Sequence, residues 1–257
     1  MLTNLRTVLR AFDNGRLFGD VYGDSAPRVL FLHGWGRQGS DFRVAAESLA
    51  HEGIASVTLD LPGFGSSPEP SIAGGADLYA DLVDRAWKDL TDGPLIVVGH
   101  SFGGRVAVSL AARYPARVAG LVLTGVPLLR TTTATSSPWS YRSLRRLRGW
   151  RLIPESVLER ARQRYGSRDY LAAHGRMREV LVLSVNETYE DLLVRVHVPT
   201  TLLWGATDAA VPVEIAERAG ALLVKSSLVV LEGVGHLLPT EAPAALAAAV
   251  RSMVNPR

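Results

Sequence analysis

Residues 95–114 read LIVVGHSFGGRVAVSLAARY, and this stretch decides the fold of the chain. An apolar run at 95–98 leads into the pentapeptide GHSFG at 99–103, and a helix-like run follows at 105–114. Glycines on both sides of Ser101 allow a tight turn from a strand into a helix. A serine at the apex of such a turn has its hydroxyl directed out from the edge of a sheet.

Strands and helices alternate along most of the sequence. Strand-like runs occur at 17–22, 29–33, 55–59, 95–99, 118–124, 200–205 and 228–231. Helix-like runs occur at 42–52, 76–90, 105–114, 213–222 and 240–254. The alternation predicts an α/β fold with a mostly parallel sheet covered by helices on both faces. In the last helix Leu246, Val250 and Met253 share one face, and Thr240 is expected to cap the first turn.

One long segment interrupts this alternation. No convincing strand occurs between residues 127 and 198, and a structureless loop of that length is improbable in a compact domain. We therefore expect a helical insertion, with a core formed by residues 1–126 and 199–257 and a helical cap (a lid) formed by residues 127–198. The candidate helices of this cap lie at 155–165 and 171–185.

Asp208 and His236 are the candidate partners of the serine. A serine nucleophile needs a base to take its proton and an anion to orient that base. Asp208 lies three residues beyond the run at 200–205, and His236 lies five residues beyond the run at 228–231. Taken singly, each is an ordinary polar loop residue. Because the carboxyl ends of parallel strands share one edge, the chain order Ser, Asp, His predicts a catalytic triad.

The sequence HGWG at 33–36 ends a strand and predicts the loop that completes the site. Trp35 is expected to offer its backbone N–H to the acyl oxygen of a substrate, and Phe102, directly after the serine, is expected to offer another. Two such donors would form an oxyanion hole. His33 and His100 are expected to hold loops through backbone hydrogen bonds.

A competing motif, GWGRQG at 34–39, fits the dinucleotide-binding pattern and is followed by Asp60. It would indicate a nicotinamide-dependent oxidoreductase. Trp35 is bulky where the backbone must approach a pyrophosphate, and strand-like residues precede this strand. Asp60 is instead expected to shape the turn LDLPGFGS at 59–66. Neither a phosphate-binding loop nor a metal-ligand spacing occurs, so no cofactor and no metal are expected.

Five motifs together resemble the α/β-hydrolase family: HGWG at 33–36, DLPGFGS at 60–66, GHSFG at 99–103, WGATD at 204–208 and GH at 235–236. The resemblance implies an eight-stranded, mostly parallel sheet with a helical lid. It also implies Ser101 as nucleophile, Asp208 as acid and His236 as base. The chain is similar to the pimeloyl-ester carboxylesterases and to the carbon–carbon hydrolases of ring-cleavage pathways. A carboxylesterase, a carbon–carbon hydrolase with the same triad and a non-catalytic binding protein are the open alternatives.

The composition and net charge limit the classes of molecule that the protein is expected to bind. The 257 residues fit one large domain, contain no cysteine and carry a formal net charge of +3. No run of about 18 apolar residues occurs, and the first residues do not resemble a signal peptide, so a cytoplasmic enzyme without a transmembrane segment is expected. The expected partner is a small-molecule ester or related acyl substrate. Nucleic acid is not expected, because no binding module accompanies the positive charge.

The positive charge is concentrated in the predicted cap. Residues 130–178 contain twelve arginines, no lysine and three acidic residues. One or two inward arginines could bind a carboxylate or phosphate of a substrate, whereas a solvated basic face is the simpler interpretation. Docking on an anionic membrane or an acidic carrier protein is a third alternative. The candidate substrate pocket combines Phe64 and Leu237 from the core with Trp139, Arg142 and Arg145 from the cap.

Overall fold

A computed structural model describes residues 7–130 and 168–255 of the chain. The strands are β1 (Thr7–Phe12), β2 (Leu17–Tyr22), β3 (Val29–Leu32), β4 (Ser56–Asp60), β5 (Leu95–His100), β6 (Val118–Thr124), β7 (Thr200–Gly205) and β8 (Ser226–Leu231). The helices are α1 (Arg43–His51), α2 (Ala76–Arg85), α3 (Trp87–Leu90), α4 (Phe102–Arg113), α5 (Arg168–Ala172), α6 (Gly175–Asn186), α7 (Glu190–Leu193), α8 (Val213–Leu222), α9 (Leu238–Glu241) and α10 (Pro243–Val254).

All eight strands form one sheet in the order β1-β2-β4-β3-β5-β6-β7-β8. The pairs β1–β2 and β2–β4 are antiparallel, and every other neighbouring pair is parallel. The carboxyl ends of β3 to β8 therefore share one edge. The predicted α/β fold with a mostly parallel eight-stranded sheet is confirmed.

Two hydrophobic layers cover the sheet, one on each face. In β3, Val29 and Phe31 are buried with residues of α1 and α10, whereas Leu30 and Leu32 are buried with residues of α2 and α4. Successive residues of a strand point to opposite faces, so an unbroken apolar run satisfies both layers at once. This explains why the inner strands are apolar throughout.

The edge strand β1 was absent from the predicted strands. Its first five residues are exposed and only Phe12 is buried. A strand without a buried face leaves no hydrophobic alternation in the sequence, and its pairing with β2 is decided by backbone hydrogen bonds.

The prediction that Thr240 caps the last helix is wrong. The segment breaks at Ala242 (φ −137°, ψ 52°), and α10 begins at Pro243. A residue before proline is disfavoured in the helical region, which separates α9 from α10. The Thr240 hydroxyl instead donates to the Leu237 carbonyl (3.0 Å). Leu246 and Val250 are fully buried, so the predicted apolar face of α10 is correct.

Other helices begin or end at residues that differ from the predicted ones. The predicted helix at 76–90 is divided into α2 and α3, and α4 begins at Phe102 rather than Arg105. The predicted helix at 171–185 is interrupted at His174, which is extended (φ −128°, ψ 160°), before α6. Residues 168–199 contain helices and no strand, whereas the candidate helix at 155–165 lies outside the described residues.

No helix in the described ranges is both long and apolar enough to cross a membrane.

Asp60 fixes the turn after β4, as the sequence predicts. Its carboxylate accepts hydrogen bonds from the N–H groups of Gly39 (2.7 Å) and Ser66 (2.8 Å). Its carbonyl accepts one from the Ser67 hydroxyl (2.6 Å), whose oxygen in turn accepts from Phe18 N–H (2.9 Å). One carboxylate thus holds the loops after β3 and β4 together.

Replacing Asp60 with Asn should lower the free energy of unfolding by about 1–3 kcal/mol, because an amide NH₂ cannot accept one of these two N–H groups. Urea denaturation measures the change. Asp24→Asn, at an exposed loop position, is the matched control and should shift stability by less than about 0.5 kcal/mol. Equal effects of the two substitutions would show that the two hydrogen bonds add no stability.

Candidate active site

Ser101 lies at the apex of the turn between β5 and α4. Its backbone is in a left-handed conformation (φ 50°, ψ −114°) that residues other than glycine rarely adopt. The Ser101 N–H donates to the Thr124 carbonyl (3.0 Å), and the Ser101 carbonyl accepts from Gly104 and Arg105 N–H (3.1 and 3.3 Å). These three hydrogen bonds hold the strained turn between the end of β6 and the first turn of α4.

Glycine at position 103 allows α4 to approach β3. A Cβ atom there would overlap the carbonyl of Leu32, because the helix packs against the end of that strand. The loop after β3 is therefore brought to the serine, and a Cβ placed on Gly34 would lie 3.3 Å from Ser101 Cβ. The loop that contains Trp35 and the start of α4 with Phe102 are neighbours, as the oxyanion-hole prediction requires.

Asp208 and His236 form a hydrogen-bonded pair at the same edge. His236 Nδ1 lies 2.8 Å from Asp208 Oδ2. The Asp208 side chain is 1% exposed and that of His236 is 26% exposed. Asp208 Oδ1 accepts from the N–H groups of Ala210 (2.9 Å) and Val211 (2.8 Å), which fixes the carboxylate. A carboxylate accepts only, so Nδ1 carries the proton and Nε2 is left with a lone pair.

The pair lies beside the serine turn. A Cβ atom on Gly125, which follows β6 directly, would lie 3.0 Å from His236 Nδ1 and 3.2 Å from Asp208 Oδ2. The adjacent residue Thr124 accepts the Ser101 N–H. Within residues 7–130 and 168–255, no hydrogen bond joins the Ser101 hydroxyl to His236. Such contacts are often long before substrate binds.

Two side chains that the sequence analysis assigned no catalytic role hold the His236 loop. His100 Nε2 donates to the His236 carbonyl (2.8 Å). The Glu241 carboxylate accepts from Leu237 N–H (3.2 Å) and from Gly235 N–H. The backbone on both sides of the imidazole is therefore fixed. Glu241 was missed because a carboxylate five residues after a histidine carries no recognised signal.

His33 ties two further loops together. Its Nε2 accepts from Leu61 N–H (2.9 Å), so Nδ1 carries the proton and donates to the Gly34 carbonyl (2.8 Å). Burial lowers the pKa of His33, which keeps the ring neutral as this pattern requires. The expectation that His33 and His100 hold loops through the backbone is confirmed.

Aromatic rings pack together beside the serine turn. Trp35 packs edge-on against Phe64 (centroids 5.0 Å apart) and Phe102 (5.5 Å). Tyr79 packs against the other side of Phe102 (4.9 Å), and its hydroxyl donates to the Pro62 carbonyl (3.0 Å). Phe64 thus packs on Trp35, and the buried Tyr79, which no sequence motif indicated, packs on Phe102.

The remaining candidate pocket residues divide into two groups. Leu237 follows His236 directly and is 37% exposed. Trp139, Arg142 and Arg145 lie outside the described residues. Among the described residues, no group of three or more His, Asp or Glu side chains is arranged to hold a metal ion.

Comparisons with known proteins show the family of the chain. The sequence matches the alpha/beta hydrolase family over residues 29–249. The chain belongs to the α/β-hydrolase family. Lipase LipV of Mycobacterium tuberculosis is 30% identical over 266 aligned residues, which cover 92% of this chain and 97% of the lipase. A pimeloyl-[acyl-carrier protein] methyl ester esterase of Chromobacterium violaceum is 31% identical over 77% of this chain and 82% of the esterase.

Solved structures show the same fold. A membrane phospholipase A superposes with a TM-score of 0.73 at 24% identity, covering 97% of this chain and 86% of the phospholipase. A 2-hydroxy-6-oxo-6-phenylhexa-2,4-dienoate hydrolase from Rhodococcus gives a TM-score of 0.71 at 22% identity over 98% and 99% of the two chains. The protein is therefore a hydrolase, and its lipase and esterase relatives support ester hydrolysis. The dinucleotide-binding interpretation of residues 34–39 is excluded by the family.

The buried His100 generates a pH prediction for this hydrolase. Burial, with the neighbouring His236, lowers the pKa of His100 to about 4. The unfolded chain takes up this proton below about pH 6.5, whereas the folded chain does not until about pH 4. The free energy of unfolding should therefore fall between pH 6.5 and 4, by up to about 1.4 kcal/mol per pH unit from this residue.

His100→Gln removes this titration while an amide N–H can still donate to the His236 carbonyl. Urea denaturation at several pH values should show a shallower loss of stability in the variant than in the wild type. His33 is present in both proteins, so its titration cancels in the difference between the curves. Parallel curves would contradict the prediction.

Proposed function

We propose that the protein is a serine carboxylic-ester hydrolase that works through an acyl-enzyme, with Ser101 as nucleophile, His236 as base and Asp208 as the acid that orients it. The observation that carries the proposal is the hydrogen-bonded pair of the buried Asp208 and His236 (2.8 Å) at the edge where Ser101 has its strained backbone. His236 has its Nε2 lone pair available, which is the tautomer that a general base needs.

The proposed reaction has two halves. Ser101 Oγ attacks the carbonyl carbon of the ester while His236 Nε2 takes the hydroxyl proton, and a tetrahedral intermediate forms. Its collapse breaks the bond to the alcohol, which leaves with the proton from His236. Water, deprotonated by His236, then attacks the acyl-enzyme and releases the carboxylic acid and Ser101. Asp208 remains ionised and stabilises the imidazolium.

The backbone N–H groups of Trp35 and Phe102 are proposed to stabilise the oxyanion. Their neighbouring placement supports this assignment, since Gly34 lies against Ser101 and the Trp35 ring packs on Phe102. Removing one such donor typically costs about 2.7–4 kcal/mol of transition-state stabilisation. No cofactor takes part in these steps.

Ester cleavage is favoured over carbon–carbon cleavage by the relatives. The lipase and the esterase match over most of their own length at 30% identity or more, whereas the likeness to the dienoate hydrolase shows the fold alone. Residues 127–198 are proposed to form a helical cap over the site, supported by the described helices α5 to α7. Turnover of vinylogous diketones in preference to esters would favour the alternative.

Ser101→Ala should abolish labelling by a fluorophosphonate probe and lower ester hydrolysis by about 10⁴-fold or more, because the nucleophile is lost. Gel fluorescence and p-nitrophenyl butyrate turnover measure the two effects. Ser109→Ala is the matched control, since Ser109 is a buried serine in α4, the helix that follows Ser101, and its hydroxyl donates to Asp77. An unlabelled wild type, or labelling that survives in Ser101→Ala, would refute the mechanism.

The arginine-rich cap suggests an anionic acyl group, because residues 130–178 carry a charge of +9 within a chain of net charge +3. A p-nitrophenyl ester with a terminal carboxylate should then be hydrolysed with a kcat/KM about fivefold above its neutral analogue, and the advantage should shrink at high salt. Arg142→Gln and Arg145→Gln should reduce it, whereas Lys225→Gln, before β8, should not. Equal, salt-independent kcat/KM values would remove the anionic preference and leave ester hydrolysis untouched.

A further inference from the structure

Arg105 joins Pro127 and the last turn of α6 to the helix that follows the serine turn. The side chain is buried, at 9% exposure, in the first turn of α4. Its Nε and Nη2 donate to the Pro127 carbonyl (3.1 and 3.0 Å), where the chain leaves β6. Its Nη1 donates to the Ser184 carbonyl (2.6 Å), where α6 ends. One guanidinium thus contacts two points that are far apart in the sequence.

The backbone of the same residue contacts the nucleophile turn, because Arg105 N–H donates to the Ser101 carbonyl (3.3 Å). Burial lowers the pKa of Arg105, so the chain holds this cation against an unfavourable environment. The Tyr189 ring, 5.6 Å from the guanidinium carbon, gives a cation–π contact that offsets part of this cost. Only a planar fork with several donors can reach both carbonyl groups, so lysine is a poor substitute.

A second contact fixes the same end of α6 to the core. The Glu187 carboxylate accepts from Ala76 N–H (3.2 Å), at the first turn of α2, and from the Tyr189 hydroxyl. A negative charge is favourable at a helix N-terminus. The end of α6 is therefore held to α4 by Arg105 and to α2 by Glu187.

The other end of α6 reaches the aromatic rings beside Ser101. Met177 is buried, and its sulfur lies 3.9 Å from the Tyr79 hydroxyl. A Cβ on Gly63, in the turn after β4, would overlap this sulfur. Tyr79 in turn packs on Phe102. A shift of α6 would therefore move Met177 against Tyr79, which packs on Phe102, the residue directly after Ser101.

We infer that Arg105 is a positioning residue: it holds Pro127 and the last turn of α6 to the nucleophile helix, and through α6 it sets which acyl chain lengths the site accepts. The inference rests on the proposed serine esterase function, because acyl selectivity presupposes that Ser101 is the nucleophile. Arg105 contacts no reacting atom. It acts by fixing the position of α6.

The test uses Arg105→Met and the milder Arg105→Lys in the full-length protein. Measurements are kcat and KM for p-nitrophenyl acetate and decanoate, the rate of fluorophosphonate labelling, and amide hydrogen exchange in α6 and in β5. The decanoate-to-acetate ratio of kcat/KM should change by about fivefold or more in Arg105→Met and less in Arg105→Lys, mainly through the KM for decanoate. Exchange should rise in α6 and remain unchanged in β5, and labelling should stay within about twofold.

Arg117→Met is the matched control, because Arg117 pairs with Asp84 (2.8 Å) and covers the Trp87 ring (5.7 Å) beyond the other end of α4. This control should keep the chain-length ratio. A lower Tm with an unchanged ratio, or exchange raised equally in α6 and β5, would overturn the positioning role. If Arg105→Met does not fold, the ratio and exchange in Arg105→Lys decide the question. Absence of wild-type labelling would instead refute the proposed function itself.

Discussion

The left-handed backbone at Ser101 is the constraint on which the arrangement of the site depends. Such a conformation costs about 1–3 kcal/mol in a residue other than glycine and persists only where surrounding structure enforces it. The Thr124 carbonyl holds the turn from β6, while Gly104 and Arg105 hold it from α4. The same turn fixes where α4 begins, and α4 then packs against β3 at Gly103. One strained residue thus joins the strand, the helix and the neighbouring loop.

The loops at this edge are joined by buried polar side chains. His33 connects the loops after β3 and β4, Asp60 holds that same pair of loops, and His100 connects the serine turn to the loop after β8. Asp208 connects the loops after β7 and β8 through His236. Each of these hydrogen bonds joins a side chain to a backbone group or to an imidazole ring whose tautomer is fixed. A site built in this way is held in place before substrate arrives, which is what electrostatic stabilisation of a transition state requires.

The sequence predicted the inner elements of the fold closely. The bounds of β2, β6, β7 and α8 agree with the predicted runs, because burial of their apolar residues gives these runs a clear hydrophobic pattern. The secondary-structure prediction was wrong where burial leaves no hydrophobic pattern in the sequence. β1 is exposed along most of its length, and α9 and α10 are separated by the local effect of Pro243. Those outcomes depend on pairing and backbone sterics that hydrophobic periodicity does not record.

For the candidate site, the sequence by itself determined the residue types and their order after successive strands. Ser101, Asp208 and His236 could be chosen because each follows a strand end, and parallel strand ends share an edge. Only the tertiary structure decided which side chains support them. Tyr79 reaches Phe102, Glu241 holds the His236 loop, and Arg105 reaches a carbonyl 79 residues away. These contacts end on rings and backbone atoms whose positions exist only once the sheet has formed, so no spacing in the sequence records them.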